Sequence, residues 1–155
     1  MPITPRYMLV CDQIRQEANG KFLIVGLYTP DIVVDAVPAV LPMLAFLVAF
    51  DSTEAGTITA TFQFSHADQI LVRGSIEAIV ARPGVVILPF NLGPVQVMSA
   101  GLYTFSVQIV GQATPLTHTF AVHLNATMPA AAVPRGDRVF ALMAARPPGS
   151  DFIAH

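Results

Sequence analysis

The chain of 155 residues contains no tryptophan, one cysteine and few charges, since Asp, Glu, Lys and Arg together make up 12% of it. The single cysteine, Cys11, excludes an internal disulfide. The basic residues are seven arginines and one lysine, spread along the chain and outnumbered by ten acids, for a net charge of -2. Binding of nucleic acid requires clustered basic side chains. The composition therefore predicts no nucleic-acid site.

Hydrophobic residues make up 54% of the sequence. This excludes intrinsic disorder for most of the chain, because disordered segments combine low hydrophobicity with high net charge. The length predicts one domain, and the shortage of charge predicts a partly apolar surface that favours self-association. The apolar segment 32–50 contains Asp35, Pro38 and Pro42, so it is interpreted as a loop and a buried strand and not as a membrane span. Without a secretory signal core, we expect a cytoplasmic protein.

Apolar residues recur with a period of two, which is typical of β-strands. The alternation is clearest over 57–65, and Gly74 indicates a bulge within a longer strand. Four strands are apolar on both faces, as is typical of central strands: 6–12, 21–29, 43–50 and 85–92. Pro89 indicates a bulge or an edge in the last of these. The other four predicted strands are 57–65, 69–80, 102–110 and 117–124.

Short turns separate these strands, and no helical segment lies between them. The pattern predicts an all-β fold, an antiparallel β-sandwich of about eight strands over residues 1–124, immunoglobulin-like or C2-like, with a closed barrel as the alternative. Residues 125–155 contain much Pro and Ala and predict an irregular C-terminal arm with a short helix at 138–146. Nine residues do not form a stable helix alone. We therefore expect four apolar residues of the arm to contact a partner: Val139, Phe140, Leu142 and Met143.

Residues able to carry chemistry occur without the spacing that known sites require. His118 and His123 are five positions apart on a predicted strand, so they point to opposite faces and cannot share a metal ion. Five acids lie in predicted loops without the spacing of a calcium site: Asp31, Asp35, Asp51, Glu54 and Asp68. Cys11 has apolar neighbours and is expected to be buried and inert. We predict no catalytic residue, no metal and no cofactor.

The favoured function is a non-enzymatic interaction or assembly module, because catalytic motifs are missing and the surface is apolar. The alternative is a small-molecule binder or an enzyme that uses loops at one end of the sandwich. In that case His66 and Asp68, which share a predicted turn, would be a base with its orienting carboxylate, and Asp51 would join them in a ligand pocket.

Several short motifs carry a resemblance to a known family. They are LVCD at 9–12, NGKF at 19–22, IVGLY at 24–28, LP at 41–42 and GLYTFSV at 101–107. Together they resemble a family of small uncharacterised bacterial proteins, a domain of unknown function, over residues 7–124. The resemblance implies a compact β-sandwich, and it implies no particular activity, cofactor or catalytic residue.

Overall fold

β-Strands account for most of the chain in the computed structural model, which describes residues 2–29 and 31–125. These residues contain eleven strands and no α-helix. The strands are β1 (Ile3–Gln16), β2 (Phe22–Leu27), β3 (Ile32–Val34), β4 (Ala39–Leu41), β5 (Leu44–Ser52), β6 (Gly56–His66), β7 (Gln69–Val80), β8 (Gly84–Leu92), β9 (Val95–Val97), β10 (Gly101–Ile109) and β11 (Leu116–Leu124). Beyond Asn125 the predicted arm lies outside the described residues, and so do its helix at 138–146 and Val139, Phe140, Leu142 and Met143.

Two sheets face each other. One has four antiparallel strands in the order β2-β1-β5-β8, and the other has five in the order β3-β11-β10-β6-β7, with β3 parallel to β11. Strands β4 and β9 form a separate two-stranded ribbon. The predicted all-β sandwich is confirmed, and all eight predicted strands are present. The sequence missed β3, β4 and β9, because three residues are too few for a period of two to be recognised.

The main core fills the space between the two sheets and is rich in aromatic rings. Phe46 of β5 stacks on Phe105 of β10, with centroids 3.9 Å apart and planes within 3° of parallel. Both rings are fully buried. A smaller cluster, built on Cys11, Ile14, Ala45 and Leu47, packs apart from the main core. Strand β5 is apolar from Leu44 to Phe50 because one of its faces contributes to each cluster.

Four strands that are apolar on both faces were predicted to be central, and the structure supports this for β1 and β5 only. Strands β2 and β8 lie at the two edges of the four-stranded sheet. Pro89 indicated the edge position of β8, but nothing in β2 did. The prediction was wrong for β2 because apolar residues on both faces indicate packing contacts above and below a strand. They do not indicate that the strand has a hydrogen-bonded neighbour on each side.

The glycine in β7 does not mark a bulge, so that prediction was wrong. Gly74 pairs regularly with Phe62, and the bulge in β7 lies instead at Leu71, which is skipped where Phe64 pairs with Val72 and Ser65 with Ile70. A β-carbon at Gly74 would come within 2.8 Å of the Phe62 ring. Glycine is therefore required there to make room for a cross-strand aromatic ring.

The apolar segment 32–50 contains β3, β4 and most of β5. Within residues 2–29 and 31–125 the structure contains no helix that is long and apolar enough to cross a membrane.

Candidate functional site

The imidazole of His66, the last residue of β6, joins two segments at one end of the sandwich. Its Nδ1 lies 2.7 Å from the carbonyl oxygen of Leu102, and its Nε2 lies 2.8 Å from Oγ of Ser99 in the loop between β9 and β10. A carbonyl oxygen only accepts hydrogen bonds, so Nδ1 carries a proton. In the neutral ring Nε2 is then the acceptor for the Ser99 hydroxyl.

Neighbouring groups hold the His66 ring in this orientation. The ring stacks on Tyr103 with centroids 4.1 Å apart and planes within 11° of parallel. The Tyr103 hydroxyl donates a 2.8 Å hydrogen bond to the carbonyl of Ser99, and burial raises the pKa of this phenol. Gly101 leaves room for the ring, since a β-carbon there would lie 3.1 Å from Cε1 of His66. The φ of Gly101, +133°, also favours glycine.

A cleft of about 320 Å³ lies between the start of β7 and the segment 94–96, and neither His66 nor Ser99 lines it. One wall begins at Gln69, which pairs with His66 in the β6–β7 hairpin, and the other includes Gln96, which closely precedes Ser99 in the chain. The rest of the lining is aliphatic: Ile70, Leu71, Val72, Pro94 and Val95. None of these described lining residues is charged. The cleft therefore suits a neutral, partly apolar group.

The structure corrects the predicted pocket of His66, Asp68 and Asp51. Asp68 is exposed in the turn after β6, and within the described residues His66 bonds to Ser99 and Leu102 and not to Asp68. Asp51 lies near the end of β5, where it accepts a 2.7 Å hydrogen bond from Arg6. The connection from β5 enters β6 at Gly56, and β6 has 11 residues. Because a strand rises about 3.3 Å per residue, Asp51 and His66 lie at opposite ends of the sandwich.

Ser99 is the member of this site that the sequence did not reveal. It is 33 positions from His66, and no motif surrounds it. The nearest signal is the Gly-x-Tyr that starts β10, which indicates a strand and gives no indication of a histidine partner. Only the pairing of β6 with β10, with Tyr103 opposite His66, brings the two side chains together.

Strand β2 presents apolar side chains at an open sheet edge. Its sequence is FLIVGL, and its only partner among the described strands is β1. Phe22 and Ile24 pack against the smaller cluster. The alternating residues Leu23, Val25 and Leu27 are 47%, 41% and 49% exposed. We call these three side chains and the unpaired backbone edge of the strand the β2 edge.

The end of β2 is attached to β1 by a polar contact. The Tyr28 hydroxyl donates a short hydrogen bond to Asp12, and the Tyr28 amide donates to the carbonyl of Val10 at 2.8 Å. Burial and the bond to Asp12 both raise the pKa of Tyr28, so the phenol remains the donor. Gly26 has a φ of +64° and lies directly against the Asp12 carboxylate. This contact fixes the position of the β2 edge on the sheet.

The two histidines considered as metal ligands have different environments. His118 lines a groove between the first half of β1 and the start of β11, where burial lowers its pKa. His123 binds the carboxylate of Asp31, with 3.0 Å between Nε2 and Oδ2. In the part of the chain that the structure describes, no group of three or more His, Cys, Asp and Glu residues is placed to hold a metal ion. Cys11 is fully buried, as predicted, and burial raises its thiol pKa.

Asp31 connects the short edge strand β3 to β11. One carboxylate oxygen accepts a 2.9 Å hydrogen bond from the amide of Ala121, and the other contacts His123. The hydrogen bond from the Ala121 amide, and to a smaller extent the contact with His123, lowers the pKa of Asp31 below its ordinary value of 3.8. A carboxylate with a depressed pKa stabilises the fold above the pKa it has in the unfolded chain. That contribution is lost as the pH falls through the folded-state pKa.

We expect Asp31→Asn to lower the free energy of unfolding by about 1 kcal/mol near neutral pH, the cost of weakening a partly exposed charged hydrogen bond. The difference should shrink as the pH falls through the lowered folded-state pKa of Asp31, because the wild-type carboxylate then becomes protonated as well. Urea denaturation at neutral pH and at an acidic pH below that pKa measures it. Asp68→Asn is the control and should change little at either pH. An unchanged difference across the two pH values would contradict the assigned role of the Asp31 charge.

Comparison with known proteins identifies a sequence family for this chain, and it assigns no function. The sequence model of a family of unknown function, DUF6941, matches residues 6–129. No curated protein matches the chain. Among solved structures, the C-terminal domain of wzt is similar at 14% identity and a TM-score of 0.47, over 77% of this chain and 72% of that one. The CARDB domain of a Pyrococcus furiosus protein, in complex with di-metal ions, is similar at 10% identity and a TM-score of 0.40, over 78% and 96%. Likenesses this distant carry no argument about function.

Proposed function

The chain belongs to the DUF6941 family, whose function is unknown, and we propose that it is an assembly module that associates with a second copy of itself through the β2 edge. The observation that carries this proposal is the exposure of Leu23, Val25 and Leu27 on a strand that has no described neighbour on one side. Exposed hydrophobic edge strands pair readily with other chains.

The other edges of the two large sheets carry features that oppose such pairing. Strand β8 contains Pro89, which lacks a backbone donor. Strand β7 contains Arg73 and Glu77, and charged side chains on an edge discourage association. Strand β3 is only three residues long. Strand β2 has neither proline nor charge within its six residues. This contrast points to the β2 edge as the interface.

A second copy is a suitable occupant because an antiparallel pair of identical strands has two-fold symmetry. Such an interface is self-complementary and closes after two subunits. Pairing centred on Ile24 and Val25 places Lys21 of one copy opposite Tyr28 of the other. The Tyr28 hydroxyl is bonded to the Asp12 carboxylate. Opposite charges would therefore come close to each other at both ends of the paired strands.

The C-terminal arm is part of the same proposal. We propose that Val139, Phe140, Leu142 and Met143 add a contact to the partner subunit, since apolar residues in a short amphipathic segment need a surface to cover. A protein partner other than a second copy is the competing occupant. The predicted cytoplasmic location remains a prediction.

We expect the wild-type chain to sediment as a dimer and Val25→Lys to raise its dissociation constant by at least about 30-fold, because the substitution buries a charge in the interface. Sedimentation velocity over a range of concentrations measures this. Ile79→Lys is the matched control: Ile79 is 85% exposed, on β7, and its replacement should leave the dimer intact. A chain truncated after residue 125 should still fold, and it should dimerise more weakly than the full chain.

A wild-type monomer at tens of micromolar would reject self-association. Equal loss of dimer in Val25→Lys and Ile79→Lys would show nonspecific hydrophobic association and not a defined interface at the β2 edge. If the truncated chain dimerises as strongly as the full chain, the arm has no role in the interface.

A further inference from the structure

Two strands on one side of the sandwich have a neighbour along only part of their length. Strand β1 pairs with β2 over residues 11–16, and no described strand lies on that side of residues 3–9. Strand β11 pairs with β3 only over residues 122–124, so no described strand lies on that side of residues 116–120. The chain crosses from β2 to β3 where the Tyr28 amide bonds to the Val10 carbonyl. Between this crossing and the starts of β1 and β11, the side of the sandwich is open.

The opening is an apolar groove, which we call the side groove and define by the open edges 3–9 of β1 and 116–120 of β11. Two cavities of about 210 and 320 Å³ lie along it, and Pro5 and Leu116 line both. Arg6, at its rim, is bonded to Asp51. Burial lowers the pKa of His118, which favours its uncharged ring. The aliphatic side chains that line the groove include Ile3, Pro5, Met8, Val48, Ile109 and Leu116.

The edge of β11 is the better place for an added strand. The edge of β1 contains Pro5, which lacks a backbone donor, and its register is irregular between Pro5 and Tyr7. Residues 116–120 contain neither proline nor a formal charge, and they pair with β10 in regular register. An extended segment that adds to such an edge gains backbone hydrogen bonds, and its side chains enter the adjoining pockets.

The chain itself supplies a suitable segment, the run VFALMAA at 139–145. It is the longest stretch of residues 126–155 without proline or charge. We propose that this run docks in the side groove of the same chain as an added strand, antiparallel to β11. The open edge offers backbone partners to an extended segment, whereas a helix of nine residues is not stable alone. In the side groove the run is therefore extended, in place of the helix predicted at 138–146.

The run can reach the side groove from the end of β11. Strand β11 has nine residues, so its start lies about 26 Å from its end. Residues 125–138 precede the run and span up to about 46 Å when extended, which leaves enough length to pass around β3. A segment that returns along β11 is antiparallel to it, as the proposed pairing requires. The covalent connection also gives the run a high effective concentration at the groove.

The period of two in a strand decides which side chains enter the groove. Phe140 and Leu142 lie on one face of the docked run and fill the two cavities. Val139 and Met143 lie on the other face, where they remain available to the partner subunit. Docking thus narrows the contact between the arm and the partner to these two residues, a step that rests on the proposed function.

A nitroxide spin label on Ala141→Cys tests the docking in the full chain. Cys11 is fully buried, so the label should react at position 141 only, and wild-type chain treated in the same way checks this. Val25→Lys is added to remove association through the β2 edge. We expect broadened amide signals at 4–8 and 116–119. Signals of 69–72, on β7 at the opposite edge of the five-stranded sheet, should be unaffected.

Charges in the run or in the groove should release the arm. Phe140→Asp combined with Leu142→Asp should remove the broadening and speed amide exchange along 116–120 by at least about 10-fold, since pairing protects amides. Pro5→Glu should also remove the broadening, because Pro5 is exposed and lines both cavities. Phe152→Asp is the matched control, outside the run, and it should change neither measurement.

Unbroadened signals at both 4–8 and 116–119 would overturn the docking. A mixture of isotope-labelled chains without nitroxide and unlabelled chains with nitroxide tests the assignment to the same chain. Broadening at the groove in this mixture would overturn that assignment, because the arm of another copy would then fill it. Dimerisation is measured separately by sedimentation. A monomeric wild-type chain with a docked arm would reject association through the β2 edge and leave the docking intact.

Discussion

Phe46→Ala is expected to lower the free energy of unfolding by about 3–5 kcal/mol, the usual cost of removing a buried aromatic ring and leaving a cavity. Phe46 is fully buried on β5 and stacks on Phe105 of the opposite sheet. It also approaches Phe64 and Phe120, at centroid distances of 5.6 and 6.1 Å. One truncation therefore removes contacts that hold the two sheets together. Denaturant unfolding followed by far-ultraviolet circular dichroism measures the loss.

Phe46→Leu is the control for cavity size, and it should cost clearly less because it retains most of the buried apolar volume. Val110→Ala, at an exposed position, should cost little. If Phe46→Ala were no more harmful than Val110→Ala, the two sheets would not be packed through this ring.

Gly26→Ala is expected to cost about 2.5–5 kcal/mol, because two separate penalties combine. A φ of +64° is strained for any residue with a β-carbon, at about 1–2 kcal/mol. The new methyl group would also overlap the Asp12 carboxylate, which must move away from the Tyr28 hydroxyl. Weakening a hydrogen bond to a charged group costs about 1.5–3 kcal/mol. Thermal and urea denaturation measure the total.

Gly20→Ala separates the two penalties. Gly20 has a similar φ of +81°, but no atom lies within 4 Å of its β-carbon position. We expect a loss of about 1–2 kcal/mol from the backbone alone. Most of the excess cost at Gly26 should disappear when Asp12 is replaced by alanine, because the carboxylate is then gone and only the β-carbon of residue 12 remains close, at 3.1 Å. Equal costs at Gly20 and Gly26 would contradict the steric part of the argument.

The sequence by itself determined the fold class and the positions of the longer strands. Alternation in 57–65, 102–110 and 117–124 could be recognised because a strand with one buried face repeats every two residues. The burial of Cys11 also followed from its local neighbours. The favoured role of the chain, a module that self-associates, rests on composition and remains to be tested by the β2 variants.

Only the tertiary structure decided which strands lie at the edges and which distant side chains meet. The exposed face of β2 could not be inferred, because FLIVGL has the same pattern whether its second face meets a neighbouring sheet or solvent. The pair of His66 and Ser99 depends on β6 pairing with β10, a contact between segments far apart in the chain. Asp51 and Asp68 were placed beside His66 on the basis of loop position alone. The length of β6 separates Asp51 from His66. The sequence did not show this separation, because local periodicity specifies a strand while the partners and ends of the strand depend on long-range packing.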